Sequence, residues 1–404
     1  MMTSNQTRLG RAEPAHGRPS TARPSRLREM SVGLILGEVA QAGSIAQSEL
    51  VRTTGLSRAT VASVVSELLD EGRLVAVTSP DTVGRGRPPR MLSIGAGIGY
   101  VVAVDFGHSH LGVAIADRSG VLLAEETQTV DVDGSSAAVL ELAHTTITRM
   151  VAQVPQCEGP PSAVVMGVPG PIDITSGRLR SGTLLPGWVG IQPAQELEAL
   201  IGQKVWVEND ANLGALGEMA YGAAQGIRDF LYVKVSSGIG AGVVINGRVY
   251  HGARGTAGEI GHVQVREDGA LCRCGSRGCL ETLSSADSAL AFLRQAHGAD
   301  LTFEDAMEIV RSADPGAVRL FNDMGIAVGR VVAAVCSNLD PQIIVAGGRL
   351  VDAGGPLLDG IATAVHRYTQ PYVSAQLQVV AGTLGSRAAL LGAVAEAARR
   401  AASL

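Results

Sequence analysis

Twice, roughly 125 residues apart, the chain runs an apolar strand into a glycine-bearing turn and out along a second apolar strand. The two stretches are VAVDFGHSHLGVAIAD at residues 102–117 and FLYVKVSSGIGAGVVINGRV at 230–249. From Tyr100 onward the periodicity alternates between strand and helix, so the repeat predicts an α/β body of two related lobes with a cleft between them. Strands are expected at 101–105, 111–116, 121–130, 163–168, 205–208, 230–236, 241–246, 343–346 and 377–381. Helices are expected at 135–154, 193–202, 211–222, 286–297, 303–312, 316–338, 355–367 and 386–402. With 404 residues, 46% of them hydrophobic, the chain can build two or three domains with cores of their own.

Ahead of this body the texture differs. Residues 1–25 are rich in Pro, Gly, Ser and Arg without an apolar period and read as a disordered basic tail. Residues 26–95 then read as three helices and a hairpin. RLREMSVGLILGEVAQAG closes at Gly43, SIAQSELVRTTG at Gly55, and LSRATVASVVSELLDEG runs from a Ser57 cap to Gly72. RLVAVTSPDTVGRGRPPRMLSI follows as two short strands around a Pro/Gly/Arg tip. That order is a winged helix-turn-helix, in which the third helix enters the DNA major groove. Ser57, Arg58, Thr60 and Ser63 are therefore candidate DNA contacts, and Arg85 and Arg87 at the wing tip candidate minor-groove contacts. Taken alone, such a tetrapeptide is more often a solvated loop; its place at the tip of a wing is what makes it a DNA contact.

Charge supports the division. Residues 1–90 carry 12 Arg and no Lys against 8 acidic residues, whereas the remainder carries 21 basic against 30 acidic residues. A basic segment on an acidic body points to a polyanion partner for that segment, operator DNA. No apolar run approaches the roughly 20 residues of a membrane span, and the amino terminus lacks the apolar centre of a secretory signal. A cytoplasmic protein without a membrane partner is the expectation.

Of five cysteines, Cys272, Cys274 and Cys279 crowd into GEIGHVQVREDGALCRCGSRGCLE together with His262, while Cys157 and Cys336 lie in apolar surroundings. The spacing H-x9-C-x-C-x4-C supplies one imidazole and three thiolates, a tetrahedral set that leaves no open position. A structural Zn2+ is expected, ordering a loop over about 258–281 that has little core of its own.

The run SSGIGAGVVINGRVYHGARGTAGEIGH followed by this cluster resembles the signature of the ROK family, which joins sugar kinases to winged-helix transcriptional regulators on a two-lobed actin-like ATPase fold. The resemblance runs from Tyr100 to the end, making 100–404 a sugar-kinase-like effector domain. It implies sugar binding by Asn209, Asp210, Glu259, His262 and Glu281, all in place. Asn209 and Asp210 lie in VENDANLGALGE, where a strand meets a helix at a carboxyl edge. The plainer readings are that Asn209 caps that helix and Glu259 is a surface charge. In the kinases, Asp210 would match the general base that takes the attacking hydroxyl's proton.

The nucleotide side departs from the kinase pattern. In place of Asp-x-Gly-Gly-Thr stand Asp105, Phe106, Gly107, His108 and Ser109, and the His108 ring is expected to fill the space where backbone meets phosphate. Gly238, Gly240 and Gly347 complete a degenerate nucleotide site, and Leu184 replaces a frequent Asn before LPGW. The sequence thus points to a sugar-responsive regulator, a repressor of carbohydrate-utilisation genes. It would be homodimeric or homotetrameric, with a catalytically inactive kinase-like body and no use for ATP/Mg2+. The rival is an ATP-dependent hexose kinase that also binds DNA.

Overall fold

A computed structural model describes residues 23–77, 91–95, 99–173, 176–179, 186–188 and 190–403. The amino-terminal unit comprises α1 (Arg23–Ala42), β1 (Ile45–Ala46), α2 (Gln47–Thr54), α3 (Arg58–Asp70), β2 (Leu74–Val77) and β3 (Met91–Ile94). α1 begins at Arg23, inside the segment assigned to the tail, because Pro24 is tolerated in a first turn whose N–H groups are free in any case. A small sheet of order β1-β3-β2 adds one strand to the expected hairpin. In α3, Val61, Val64, Val65 and Leu68 recur at helical spacing and are buried with Ile35, Leu36, Leu50 and Leu92. A winged helix-turn-helix results.

The first lobe contains β4 (Tyr100–Phe106), β5 (His110–Asp117), β6 (Leu122–Thr129), α4 (Ser136–Gln153), β7 (Ala163–Val168), α5 (Pro193–Ile201), β8 (Val205–Asn209) and α6 (Asp210–Tyr221). The second contains β9 (Phe230–Val235), β10 (Ile239–Ile245), β11 (Arg248–Val249), α7 (Glu281–Ser284), α8 (Ala286–His297), α9 (Phe303–Arg311), α10 (Pro315–Leu339), β12 (Ile343–Gly347), α11 (Gly355–Tyr368), α12 (Pro371–Ser374), β13 (Gln378–Ala381) and α13 (Ala388–Ser403). The two sheets, β6-β5-β4-β7-β8 and β11-β10-β9-β12-β13, have one plan. An antiparallel hairpin extends on one side and two parallel strands on the other. This is the two-lobed body expected from the repeat, on the actin-like plan that the resemblance implies.

The lobes exchange helices. α6, which follows the last strand of the first sheet, packs on β9 and β10, while α13, which follows the last strand of the second, packs on β4, β7 and β5. The two helices also cross each other, and glycine makes the crossing close. A Cβ on Gly392 would lie 1.8 Å from the Leu213 carbonyl oxygen, and one on Gly217 would lie 2.2 Å from that of Ala388. Glu218, fully buried near the end of α6, accepts hydrogen bonds from the backbone N–H groups of Ala223, Thr383 and Leu384. Its carboxylate thereby ties the start of the α13 connection to α6.

Among the described residues, α10 alone is long and apolar enough to cross a membrane by length and composition. It lies along α11, with Phe321, Val328, Val332 and Cys336 in the second lobe's core.

Candidate functional site

The cleft between the lobes encloses about 450 Å³ and is floored by the two glycine turns. On the first-lobe side, Gly107 N–H donates to the His110 carbonyl to close the β4–β5 turn. His108 and Ser109 offer their carbonyls to Val132 and Val130. The His108 ring swings to Asp133, with Nδ1 2.7 Å from Oδ1. The ring that fills the turn is that of His110: a Cβ on Gly107 would lie 2.1 Å from its Cε1, and its Nε2 is 3.1 Å from Asp105 Oδ2. Steric closure thus falls to His110, correcting the role expected of His108, because β5 begins at His110 and directs that side chain back over β4.

The other Asp105 oxygen, Oδ1, is buried without a protein donor. Gly238 and Gly240 line the second-lobe turn, whereas Gly347 packs on the Tyr232 ring and Gly348 faces the cleft in its place. Leu184 falls outside the described residues, as do Arg85 and Arg87.

Asn209, Asp210, Glu259, His262 and Glu281 all reach the cleft wall. Asn209 caps α6: its Oδ1 accepts from the N–H groups of Ala211 and Asn212 at 2.9 and 3.1 Å, and its Nδ2 donates to the Gly170 carbonyl. The capping role read from the sequence is therefore real and leaves one amide N–H for a ligand. Asp210 opens the same helix, where the N-terminal end favours a negative charge. Glu281 Oε2 accepts the Ile239 N–H at 3.1 Å. Burial, joined by the charges of Asp210 and Glu281, pushes the Glu259 carboxyl up to about 7. Paired carboxyl groups with differing proton affinities can both accept from and donate to adjacent hydroxyls.

Sequence reasoning missed Lys234. Its ammonium lies 2.7 Å from Asp210 Oδ2. Burial disfavours its charge, but the carboxylates of Asp210 and Asp105 outweigh burial and hold its pKa above the ordinary lysine value. The signal was present: a single Lys inside the apolar run FLYVKV of a central strand needs a partner. A hydrated Mg2+ at this turn would need Asp105, which already engages His110, and would meet the ammonium of Lys234.

Beside the cleft, the ligand atoms of His262, Cys272, Cys274 and Cys279 all lie within 4.8 Å of one another. Cys272 Sγ is 3.6 Å from His262 Nδ1, and Cys274 Sγ is 3.7 Å from Cys279 Sγ. Bonds of about 2.1–2.3 Å to a central ion give a tetrahedron with edges of about 3.5–3.8 Å, so the set fits a metal ion. Its backbone is drawn together by Gly278, whose N–H donates to Ala270 and whose carbonyl accepts from Val265 and Arg266. His262 Nε2 points the other way, 3.8 Å from Glu259 Oε2, linking the cluster to the cleft wall. Arg273, within the loop, reaches Asp133 of the first lobe at 4.0 Å and Asp287 at 3.5 Å.

At the far end of the molecule, Ser57 caps α3, accepting the Thr60 N–H at 3.1 Å, with its Oγ also 2.9 Å from Thr60 Oγ1. Ser57, Arg58 and Ser63 are exposed and Thr60 half-buried, on the helix whose Val61, Val64, Val65 and Leu68 are buried.

Comparison with known proteins gives these features a context. The model of the ROK family matches residues 101–400. The xylose repressor of Bacillus spizizenii is 27% identical over 369 residues, covering 91% of this chain and 94% of that protein. The glucokinase of Thermotoga maritima is 31% identical over 307 residues, covering 72% of this chain and 95% of that protein. Among solved structures, a ROK family transcriptional regulator, a homologue of the E. coli MLC protein, superposes with a TM-score of 0.76 at 23% identity. That match covers 93% of this chain and 98% of the other.

Proposed function

The chain belongs to the ROK family, and from that premise we propose that it is a sugar-responsive transcriptional repressor whose kinase-like body serves as an effector receptor. The observation that carries this reading is the course of α13. Ala388, Ala389 and Leu390 in its first turn line the cleft, while Ala402 in its last turn is buried in the winged-helix core. Arg73, just before β2, donates to the Ala402 carbonyl, and Arg118 of the first lobe donates to that of Ala401. One helix of 16 residues, about 24 Å long, therefore belongs both to the cleft and to the DNA-binding unit. A ligand that shifts one lobe against the other moves the recognition helix with it.

Asn209, Asp210, Glu259, His262 and Glu281 hold the sugar hydroxyls, with Asp210 acting as an acceptor and not as a base. His262, Cys272, Cys274 and Cys279 hold a structural Zn2+, which keeps Glu259 and Glu281 on the cleft wall. Ser57, Arg58, Thr60 and Ser63 meet operator DNA, together with Arg85 and Arg87 of the wing. Two half-sites require a homodimer or a higher symmetric assembly, working in the cytoplasm where the operator lies. By linkage, the sugar favours the DNA-free arrangement by the same factor by which it weakens operator binding.

The test is a gel shift on DNA upstream of the gene across a panel of sugars. One sugar should release the complex, and Arg58→Ala should weaken the wild-type complex about tenfold without changing the melting temperature. A complex indifferent to every sugar tested overturns the receptor reading. The likeness to a glucokinase keeps a second reading in view, that of an ATP-dependent hexose kinase. A coupled ADP-release assay decides it, since turnover of roughly 1–100 per second would make the protein an enzyme.

A further inference from the structure

The positive charges facing the cleft are already engaged. Lys234 holds Asp210 at 2.7 Å, Arg387 Nε holds Glu125 at 2.8 Å, and Arg349 reaches Glu304 at 3.1 Å. Among the described lining residues, every Lys and Arg has a carboxylate partner. The imidazoles of His108 and His110 likewise face Asp133 and Asp105. The Ile239 N–H, a donor that a phosphate-binding turn would aim at its ligand, is taken by Glu281.

A phosphate group entering such a cleft must shed water and then either break an existing pair, leaving a carboxylate uncompensated, or sit among carboxylates. A neutral polyol meets neither obstacle, because its hydroxyls can donate to Asp210, Glu281 and Glu259 without displacing a charge. A divalent cation is opposed in turn by the fixed ammonium beside Asp210 and Asp105.

We propose that the cleft receives an uncharged sugar without a divalent cation, and that Lys234, as the cleft's own cation, is the residue that sets this preference. The proposal rests on the sugar-receptor reading and narrows its ligand class. It also gives Asp105 a role as counter-charge, in place of a metal ligand.

The test uses the full-length chain in two arms. The first compares thermal shifts with matched pairs: glucose, galactose and N-acetylglucosamine, each against its 6-phosphate ester. A neutral member should raise the melting temperature while its ester leaves it within about a degree. An ester that binds more tightly than its parent overturns the proposal but leaves the receptor reading standing. No response to any member of any pair overturns the receptor reading, and this proposal with it.

The second arm titrates Mn2+, followed by its electron spin resonance. The wild type should show no cleft site. Lys234→Ala should gain one, through Asp210 and the unpartnered oxygen of Asp105. Lys234→Arg, which keeps the charge, should gain none, and adding Asp105→Asn to Lys234→Ala should abolish the gain. A wild-type Mn2+ site removed by Asp105→Asn, or a folded Lys234→Ala that gains nothing, overturns the role given to Lys234. If Lys234→Ala does not fold, the wild-type titration and the ester pairs still decide.

Discussion

The two glycine turns occupy equivalent places in equivalent sheets, yet each is closed by a different device. In the first, the space left by Gly107 is filled from within its own hairpin by the His110 ring, and the adjacent carboxylate of Asp105 is drawn into the same contact. In the second, a Cβ on Gly238 would lie 3.1 Å from Glu281 Oε2, and the Ile239 N–H is taken by that carboxylate. Glu281 stands two residues beyond Cys279, so the second turn is closed from outside by the Cys-rich loop. The topology was duplicated while the means of closure diverged: one turn depends on a local ring, the other on a distant loop that a metal ion would brace. In the first turn a ring takes the space beside the glycine, and in the second a carboxylate takes the Ile239 N–H.

The two turns should respond most differently to a change in the loop. Replacing Cys272 by Ser should abolish metal binding, measured as metal content per chain, and lower the melting temperature by roughly 10 °C or more. The loss should be uneven. Amide exchange at Ile239 should accelerate strongly while that at Gly107 changes little; equal acceleration would mean that the turns are not independently closed.

Glu281→Ala comes next, since it strands a buried N–H without removing the metal ligands. A loss of about 2 kcal/mol in urea unfolding is expected, with metal content unchanged. On the first-lobe side, His110→Gly should cost about 1 kcal/mol by opening a void and leaving the Asp105 carboxylate without its imidazole. His108→Gly should cost less, because that ring engages the more exposed carboxylate of Asp133 and not the buried one of Asp105. A reversal of this order would return the closing role to His108.

The smallest effect is expected from a pair outside both turns, His251 Nε2 with Glu208 Oε2 at 2.7 Å, which joins the second lobe to β8 of the first. The hydrogen bond to Glu208 raises the His251 pKa. Burial would raise the Glu208 carboxyl, but hydrogen bonds from His251, Asn212 and the Asn209 N–H more than offset it and lower its pKa. The share of stability from His251 is complete below the ordinary imidazole value near 6.5 and is lost as the pH rises through its raised value. The Glu208 share is lost at the acid end, as the pH falls through its lowered value. Between pH 6 and pH 9 the melting temperature should decline by about a degree or two more in the wild type than in His251→Ala.

Much of this molecule was legible in the chain. The apolar runs around Asp105 and Gly238 marked both hairpins, because a strand buried on both faces leaves a continuous apolar stretch. The close spacing of Cys272, Cys274 and Cys279 marked the metal-type cluster, because few other arrangements tolerate three thiols in eight residues. The Asn209 cap followed from a polar residue at a strand-to-helix junction.

What could not be read are contacts between distant segments. Lys234 stood out as a charge in a buried strand, but its partner Asp210 lies 24 positions away. Glu218 gives no local sign that it will receive N–H groups from residues 383 and 384. His108 stood out as the obstacle, and only the position of Asp133 showed that its ring turns away while the His110 ring packs beside Gly107.

The elements, their duplicated order, the winged helix ahead of them and the metal-type Cys cluster were thus set within the sequence, because each rests on residues close along the chain. Tertiary structure alone decided that α6 and α13 are exchanged between the sheets, that α13 joins the cleft to the DNA-binding unit, and that the cleft carries its own cation. Each of these depends on which surfaces meet once both cores have closed, and local periodicity records which face of an element is buried without recording the face it is buried against.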